Sequence, residues 1–304
     1  GLGTVFENAP VYEGEVTTPT ISSFLMTIVP TNIIKAGADG STLPVILFTI
    51  VFAIAILSIG EKGRPVLDFM NSLSDAFFKM LGYFMELSPI GVLSLMAYSA
   101  AQYGAGIFSA LAKYIGTCWL CCIVVFLVAM VLPVSLYTKV SPIKFIKACG
   151  KVALVTLSTT SSAATLPTTI NVSVEDLGAP EGVSKFTLPL GCTINMCGGA
   201  CSFCCLAVFV SDFYSINLPL GTIVFLVLVA TLLNMAAPGI PGGGVVLGAS
   251  FLSILGLPID LMGPISGFYR LLDMAFTTIN VEGDVAANLM IAKSIGEYDG
   301  SMAK

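Results

Sequence analysis

Thr193-Ile194-Asn195-Met196-Cys197-Gly198-Gly199 returns in altered form as Thr278-Ile279-Asn280-Val281-Glu282-Gly283-Asp284. Both copies lie in otherwise apolar sequence, and each comes after a stretch rich in Gly, Ser, Thr and Pro. Before the first copy stands Ser158-Thr159-Thr160-Ser161-Ser162-Ala163-Ala164-Thr165-Leu166-Pro167. Before the second stands Asn234-Met235-Ala236-Ala237-Pro238-Gly239-Ile240-Pro241-Gly242-Gly243-Gly244. Two prolines and several glycines cannot continue a helix without a break. Each interruption therefore reads as a hairpin that enters and leaves on one side, followed by a broken helix. A hairpin returns to its starting side, so the two halves have opposite topology. Inverted repeats with interrupted segments place a binding site where the halves meet.

The surrounding composition fixes the solvent. Of the 304 residues, 56% are hydrophobic and 10% charged. Mean hydropathy is +0.96, and a soluble domain carries about 25% charge. Charge-free stretches such as Ser41–Gly60, Leu87–Ala112, Tyr114–Thr138, Val152–Val174, Phe186–Ser211 and Phe213–Ile259 exceed or approach the roughly 20 residues that span a bilayer. Short alternating segments of the β-barrel type do not appear. An all-α membrane protein is expected, with the lipid bilayer as its partner and no nucleic acid. An irregular backbone inside lipid must be buried in protein or face water, so both hairpin tips belong in the interior. Lys62 and Arg64, the cluster Lys139, Lys144, Lys147 and Lys151, and Lys293 with Lys304 mark the cytoplasmic side. Residues 1–20 are acidic and polar and read as an exposed loop rather than a signal peptide.

Chemistry concentrates on the last helix. Arg270, Asp273, Thr277, Asn280 and Asp284 fall within about 80° of one another at 3.6 residues per turn. Such a polar stripe at membrane depth faces a cavity, a partner or an ion; a salt bridge of Arg270 with Asp273 is the plainer alternative. Asp284 with backbone carbonyls suits a small hard cation. Asp273 suits a substrate ammonium group, and free amides at the hairpin tips suit a carboxylate. Among the nine cysteines, Cys197, Cys201, Cys204 and Cys205 could share a helix face. Small, soft packing residues are the plainer reading there, since neither His nor a loop context for a metal is present. With no nucleophile–base pair, an enzyme is not expected.

Several segments together resemble the dicarboxylate/amino acid:cation symporters, the family of glutamate and neutral amino acid transporters. Ile28-Val29-Pro30-Thr31-Asn32 is similar to part of that family's fourth helix, and Ser88-Pro89-Ile90-Gly91-Val92 to its fifth. The tip ending Thr165-Leu166-Pro167 is similar to its first hairpin, and Phe186 to Gly191 with Thr193 to Met196 to its seventh helix. Gly239-Ile240-Pro241-Gly242 is similar to its second hairpin tip, and Asp273 to Asp284 to its eighth helix. The resemblance implies a homotrimer in the cell (inner or plasma) membrane. Residues 1–103 would be scaffold. Residues 104–304 would form a transport domain that moves as an elevator, with the sixth helix, hairpin one at 142–175, the seventh helix at 182–213, hairpin two at 216–256 and the eighth helix at 258–295.

By the same resemblance, one Na⁺ would be held by Asp284 with carbonyls of Gly191, Asn195 and Asn280. A second would lie among Thr193, Met196, Asn234, Met235 and Ala237. The amino acid would lie among Ser161, Ser162, Ala163, Gly199, Gly239, Gly244, Asp273, Phe276, Thr277 and Asn280. Asp273 would take its amino group, and Asn280 with the amides of Ser162 and Gly244 its α-carboxylate.

Three departures from the family pattern matter. Phe276 stands where acidic amino acid carriers have Arg, while Asp273 is kept, which implies a small neutral substrate. An acidic amino acid or dicarboxylate read by Arg270, a proton-coupled carrier and an anion channel are the alternatives. Cys197 stands where the family phrase has Asp, which puts a third cation site in doubt. The family's first three helices have no counterpart here, so a piece of a longer protein is expected.

Overall fold

The computed structural model describes residues 26, 28–235 and 243–298. Their secondary structure is helical throughout. The chain divides into two compact units between Gly104 and Ala105, where Gly104, at φ +70°, ends a helix.

The first unit holds α1 (Ile33–Ala38), α2 (Thr42–Ser58), α3 (Arg64–Glu86) and α4 (Ser88–Tyr103). Asn32 caps α1 through its side chain, which accepts from the Lys35 N–H at 3.1 Å. Few apolar side chains of this unit are buried: Ile54, Phe69, Phe84 and Leu93 are all exposed. A chain in water would bury such faces, whereas lipid solvates them.

The second unit is built around one helix. It runs from α5 (Gly106–Val125) through a π turn (Phe126–Val131) into α6 (Leu132–Thr138). The π turn ends two residues before Pro133, whose missing N–H and ring displace the ordinary helical ladder. Then come α7 (Pro142–Thr159), α8 (Ser162–Asn171), a second π turn (Val172–Asp176), α9 (Glu181–Ile194), α10 (Cys197–Phe213), α11 (Leu220–Asn234), α12 (Gly243–Ile254) and α13 (Met262–Ser294). α13 packs against α5 to α10 and against α12. Its 33 residues span about 50 Å, longer than the roughly 30 Å hydrocarbon layer. Two helical runs among the described residues are long and apolar enough to cross a membrane, Gly106–Thr138 and Glu181–Phe213.

The first serine-rich interruption is a helical hairpin. Lys151 Nζ lies 2.8 Å from Asp176 Oδ1, although an unbroken helix would hold them about 37 Å apart. The chain reverses at Thr160, a β-branched residue at φ +48° in the left-handed region such residues avoid. Ser161 then caps α8, its hydroxyl accepting from the Ala164 N–H at 3.2 Å. The second interruption joins α11 and α12, which touch one another; its tip at 236–242 lies outside the described residues.

The two copies of the repeated phrase differ. At the first copy the helix breaks: Asn195 is extended and Met196 non-helical, between the end of α9 and the start of α10. At the second copy α13 runs unbroken through Thr278 to Asp284, so the expected second broken helix is not there. Local chemistry explains the difference. Gly198 and Gly199 come after the first Asn and Pro189 precedes it, each weakening the helix. After Asn280, the single Gly283 is surrounded by residues that tolerate a helix, at a cost of about 1 kcal/mol.

The long apolar stretches are also subdivided. Leu87–Ala112 splits at Gly104, and Val152–Val174 and Phe213–Ile259 each contain two helices.

Candidate substrate and cation site

The break between α9 and α10 opens against α13, and the sequence makes that approach possible. A Cβ at Gly198 would overlap the Phe276 carbonyl, and one at Gly191 would meet Asp284 Oδ1 at 2.5 Å. One at Gly283 would meet Asn195 Nδ2 at 2.8 Å. Small residues let helix backbones approach this closely inside membranes.

Side chains then tie the break down. The first N–H groups of α10 have no partner within the helix. Asn280 supplies one from across the interface, its Oδ1 accepting from the Gly198 N–H at 2.7 Å. Asn280 Nδ2 donates to Met196 Sδ at 3.3 Å. One turn on, Asp284 Oδ1 accepts from Asn195 Nδ2 at 2.8 Å, and the same amide donates to the Asn280 carbonyl at 3.2 Å. A further turn on, Asn288 accepts from Thr187 at 2.6 Å and donates to Ser184 at 3.0 Å. Asn280, Asp284 and Asn288 thus form a polar ladder on α13. Asn288 extends the stripe read from the sequence by one turn.

Asp284 is 4% exposed. Around it converge the Gly191 backbone, the Asn195 amide and the Asn280 carbonyl. A buried carboxylate with a backbone carbonyl beside it offers oxygen donors of the kind a small hard cation takes, while Asn195 presents its amide N–H to both. Asp284, Gly191, Asn195 and Asn288 also line a cavity of about 630 Å³ between α9 and α13.

A second, smaller cavity of about 40 Å³ lies one turn away along α13. Of the residues assigned to the substrate, Ser162, Gly199, Gly244, Asp273, Phe276, Thr277 and Asn280 line it. Asp273 is 8% exposed, and its Oδ1 accepts from the Thr277 hydroxyl at 3.2 Å. Ser161 is engaged as the α8 cap, and Ala163 is exposed. Gly239 lies outside the described residues. Met196 and Asn234 line the small cavity, with Asn234 Oδ1 where a Cβ at Gly199 would stand. Met235 and Thr193 are exposed, the Thr193 hydroxyl donating to the Leu190 carbonyl. Ala237 lies outside the described residues.

Thr160, from the serine-rich run, also lines the small cavity, as do Ser202, Phe203 and Tyr269, which carried no signal in the sequence. The Tyr269 hydroxyl oxygen accepts from the Gly244 N–H, the amide expected to meet a carboxylate. Arg270 does not point along the stripe but to the first hairpin tip, where it donates to the Ser158 carbonyl and the Thr160 hydroxyl. Cys197 turns its thiol toward the Ile279 carbonyl at 3.5 Å.

Fold and site define a helical membrane protein with a buried carboxylate beside a polar cavity. The chain belongs to the sodium:dicarboxylate symporter family, whose model matches residues 5–294. It is 30% identical over 292 residues to a proton/sodium-glutamate symport protein of Bacillus subtilis, covering 96% of this chain and 68% of the relative. It is 32% identical over 287 residues to a C4-dicarboxylate transport protein of Rhizobium etli, covering 94% and 64%. A C4-dicarboxylate transport protein of Brucella anthropi is 33% identical over 281 residues, covering 92% and 63%. The chain therefore spans about two thirds of the length of these relatives.

Proposed function

We propose that this protein carries a small neutral amino acid across the cell membrane in symport with Na⁺. The observation that carries the reading is Asp284. It is buried among the Asn195 amide, the Gly191 backbone and the Asn280 carbonyl, one turn from an Asn280 side chain that lines the small cavity. A cation bound there completes the charge on Asp284 and holds the α9–α10 break in place. That break and Asn280 form part of the cavity wall, so ion and substrate favour the same arrangement, which is the thermodynamic requirement for coupling.

Asp273 and Thr277 offer the ammonium of the substrate an acceptor pair. The chain's N–H groups at Ser162 and the first turn of α12 face its carboxylate. Phe276, 3% exposed, puts an apolar ring where a substrate side chain ends. A cavity of 40 Å³ holds about three waters, so even alanine enters only when the wall moves. Separation of Gly244 from Tyr269 is the smallest such movement. In this reading the hairpins are re-entrant, residues 104–304 move as an elevator against a scaffold at 1–103, and three copies assemble. One or two Na⁺ travel with each substrate, and Cys197 weakens a third site.

Arg270 favours a second reading. Its guanidinium bonds Thr160, which itself lines the cavity, so a rotation of the side chain brings a cation to an acidic substrate. The substrates after which the relatives are named, glutamate and C4-dicarboxylates, agree with that second reading. Uptake into proteoliposomes separates the two. Labelled serine, alanine or threonine is expected to accumulate only with an inward Na⁺ gradient, with weak competition by aspartate or succinate. Strong competition by the acids installs the second reading, and uptake indifferent to Na⁺ for every substrate overturns both. Phe276→Arg is expected to raise competition by aspartate and glutamate about tenfold, the worth of one charge-assisted hydrogen bond.

A further inference from the structure

Five of the nine cysteines meet at one place outside this site. Cys118, Cys121 and Cys122 stand at i, i+3 and i+4 on α5, and Cys201 and Cys205 at i and i+4 on α10. Residues at these spacings share a helix face, and the two faces oppose one another. The sulfurs of Cys121, Cys201 and Cys205 all lie within 4.8 Å of each other. Cys122 is in hydrogen-bond contact with Cys201, and Cys118 with Cys205. All five are free thiols.

We propose that this cluster is a binding site for a thiophilic d¹⁰ metal ion of the Zn²⁺ class. Soft thiolates select such ions over Na⁺, Mg²⁺ or Ca²⁺. Three sulfurs about 2.3 Å from Zn²⁺ in tetrahedral geometry are about 3.8 Å apart. The present spacing reaches that with side-chain rotation of about 1 Å. Cys118 and Cys122 flank the trio, and either supplies the fourth ligand that closes a structural site. Each coordinating thiol gives its proton to water as the metal enters, so three thiolates around a divalent ion leave one net negative charge and a fourth leaves two. An entry path exists, because Cys122 lines a cavity of about 160 Å³ together with Trp119 and Glu282. Packing alone accounts for single small sulfurs in helices, but not for five that converge from two helices with paired spacing. The opposite face of α10 carries Gly199, Ser202 and Phe203 into the substrate cavity. A bound metal therefore clamps α5 to the helix that forms that wall.

Cd²⁺ is the probe, titrated into the purified protein in detergent with a phosphine reductant. A thiolate-to-Cd²⁺ charge-transfer band is expected, saturating at one ion per chain. Cys121→Ser/Cys201→Ser/Cys205→Ser is expected to lose it, and Cys149→Ser/Cys192→Ser to keep it. The unmodified protein gives an arm that needs no variant: Cd²⁺ is expected to shield Cys121, Cys201 and Cys205 from maleimide, as mapped by mass spectrometry, while leaving Cys149 and Cys192 unchanged. Full alkylation in the presence of Cd²⁺, or a band that survives in the triple variant, overturns the proposal. So does a disulfide within the cluster in protein isolated without reductant, which makes the site a redox pair instead. None of these outcomes depends on transport, so the symport reading stands or falls separately.

Discussion

The two copies of Thr-Ile-Asn carry the same three residues into opposite backbones. At Asn195 the helix ends, and the side chain reaches across to Asp284 and to the Asn280 carbonyl. At Asn280 the helix continues, and the side chain reaches back to cap α10. One copy supplies a break; the other supplies the rod that satisfies it. The difference lies in the residues on the C-terminal side of the Asn: two glycines in the first copy, a helix-compatible run with a carboxylate in the second. Identical residues thus serve as complementary halves of one joint, and the polar atoms left over are those assigned above to a cation.

The largest expected effect comes from taking the charge out of the joint. Asp284→Asn keeps the shape but removes the carboxylate. Hydrogen bonds and contacts to a charged group are worth about 1.5–3 kcal/mol, so the Na⁺ concentration for half-maximal uptake is expected to rise about 10- to 100-fold. An unchanged Na⁺ titration removes Asp284 from the ion site.

The glycines test the asymmetry itself. At Gly198 an added methyl meets backbone, the Phe276 carbonyl, whereas at Gly283 it meets the end of the Asn195 side chain. Overpacking costs about 1–3 kcal/mol where nothing can yield. Gly198→Ala is therefore expected to lower the thermal midpoint in detergent by several degrees more than Gly283→Ala. Equal shifts would show that the break is not the tighter side.

Removing the cap comes next. Asn280→Ala leaves the Gly198 N–H without its acceptor, a loss of about 0.5–2 kcal/mol for a helix cap. Hydrogen exchange is expected to accelerate at the first turn of α10 and not in the middle of α13. Acceleration confined to α13 breaks the assignment of cap and rod.

The smallest effect belongs to the base of the first hairpin. Lys151 and Asp176 are both partly solvated, with side-chain exposures of 62% and 30%. Such pairs contribute at most about 1 kcal/mol, so Lys151→Met is expected to shift the thermal midpoint by less than either glycine variant. A larger loss would mean that the ion pair, not the Thr160 turn, holds the hairpin closed.

Much of this is legible in the residues and some is not. The stripe Asp273, Thr277, Asn280 and Asp284 is legible because helical spacing alone places its members on one face. The first hairpin is legible because the eight successive small or polar residues Ser158 to Thr165 cannot face lipid. The unbroken second copy escapes the sequence reading because a three-residue identity says nothing of the residues beyond it, and Val281-Glu282 sustains the helix where the first copy has a break at Asn195-Met196. Tyr269 and Ser202 are invisible for a different reason. Each matters through a neighbour distant in the chain, and periodicity reports only neighbours on the same helix. The same limit hides the meeting of Cys121 with Cys201, since the sequence groups the thiols of α10 among themselves.

The cap that Asn280 places on α10 also has a consequence for how the protein is made. Its donor and acceptor are 82 residues apart. When α9 and α10 leave the ribosome, the residue that completes them has not been synthesised. The break waits, with its N–H groups answered only by water or by transient partners, until the last long helix enters the membrane. Non-local closure of this kind is slow. Membrane assembly of the second unit therefore finishes at α13, and a chain stalled before Asn280 leaves an open joint for quality control to find.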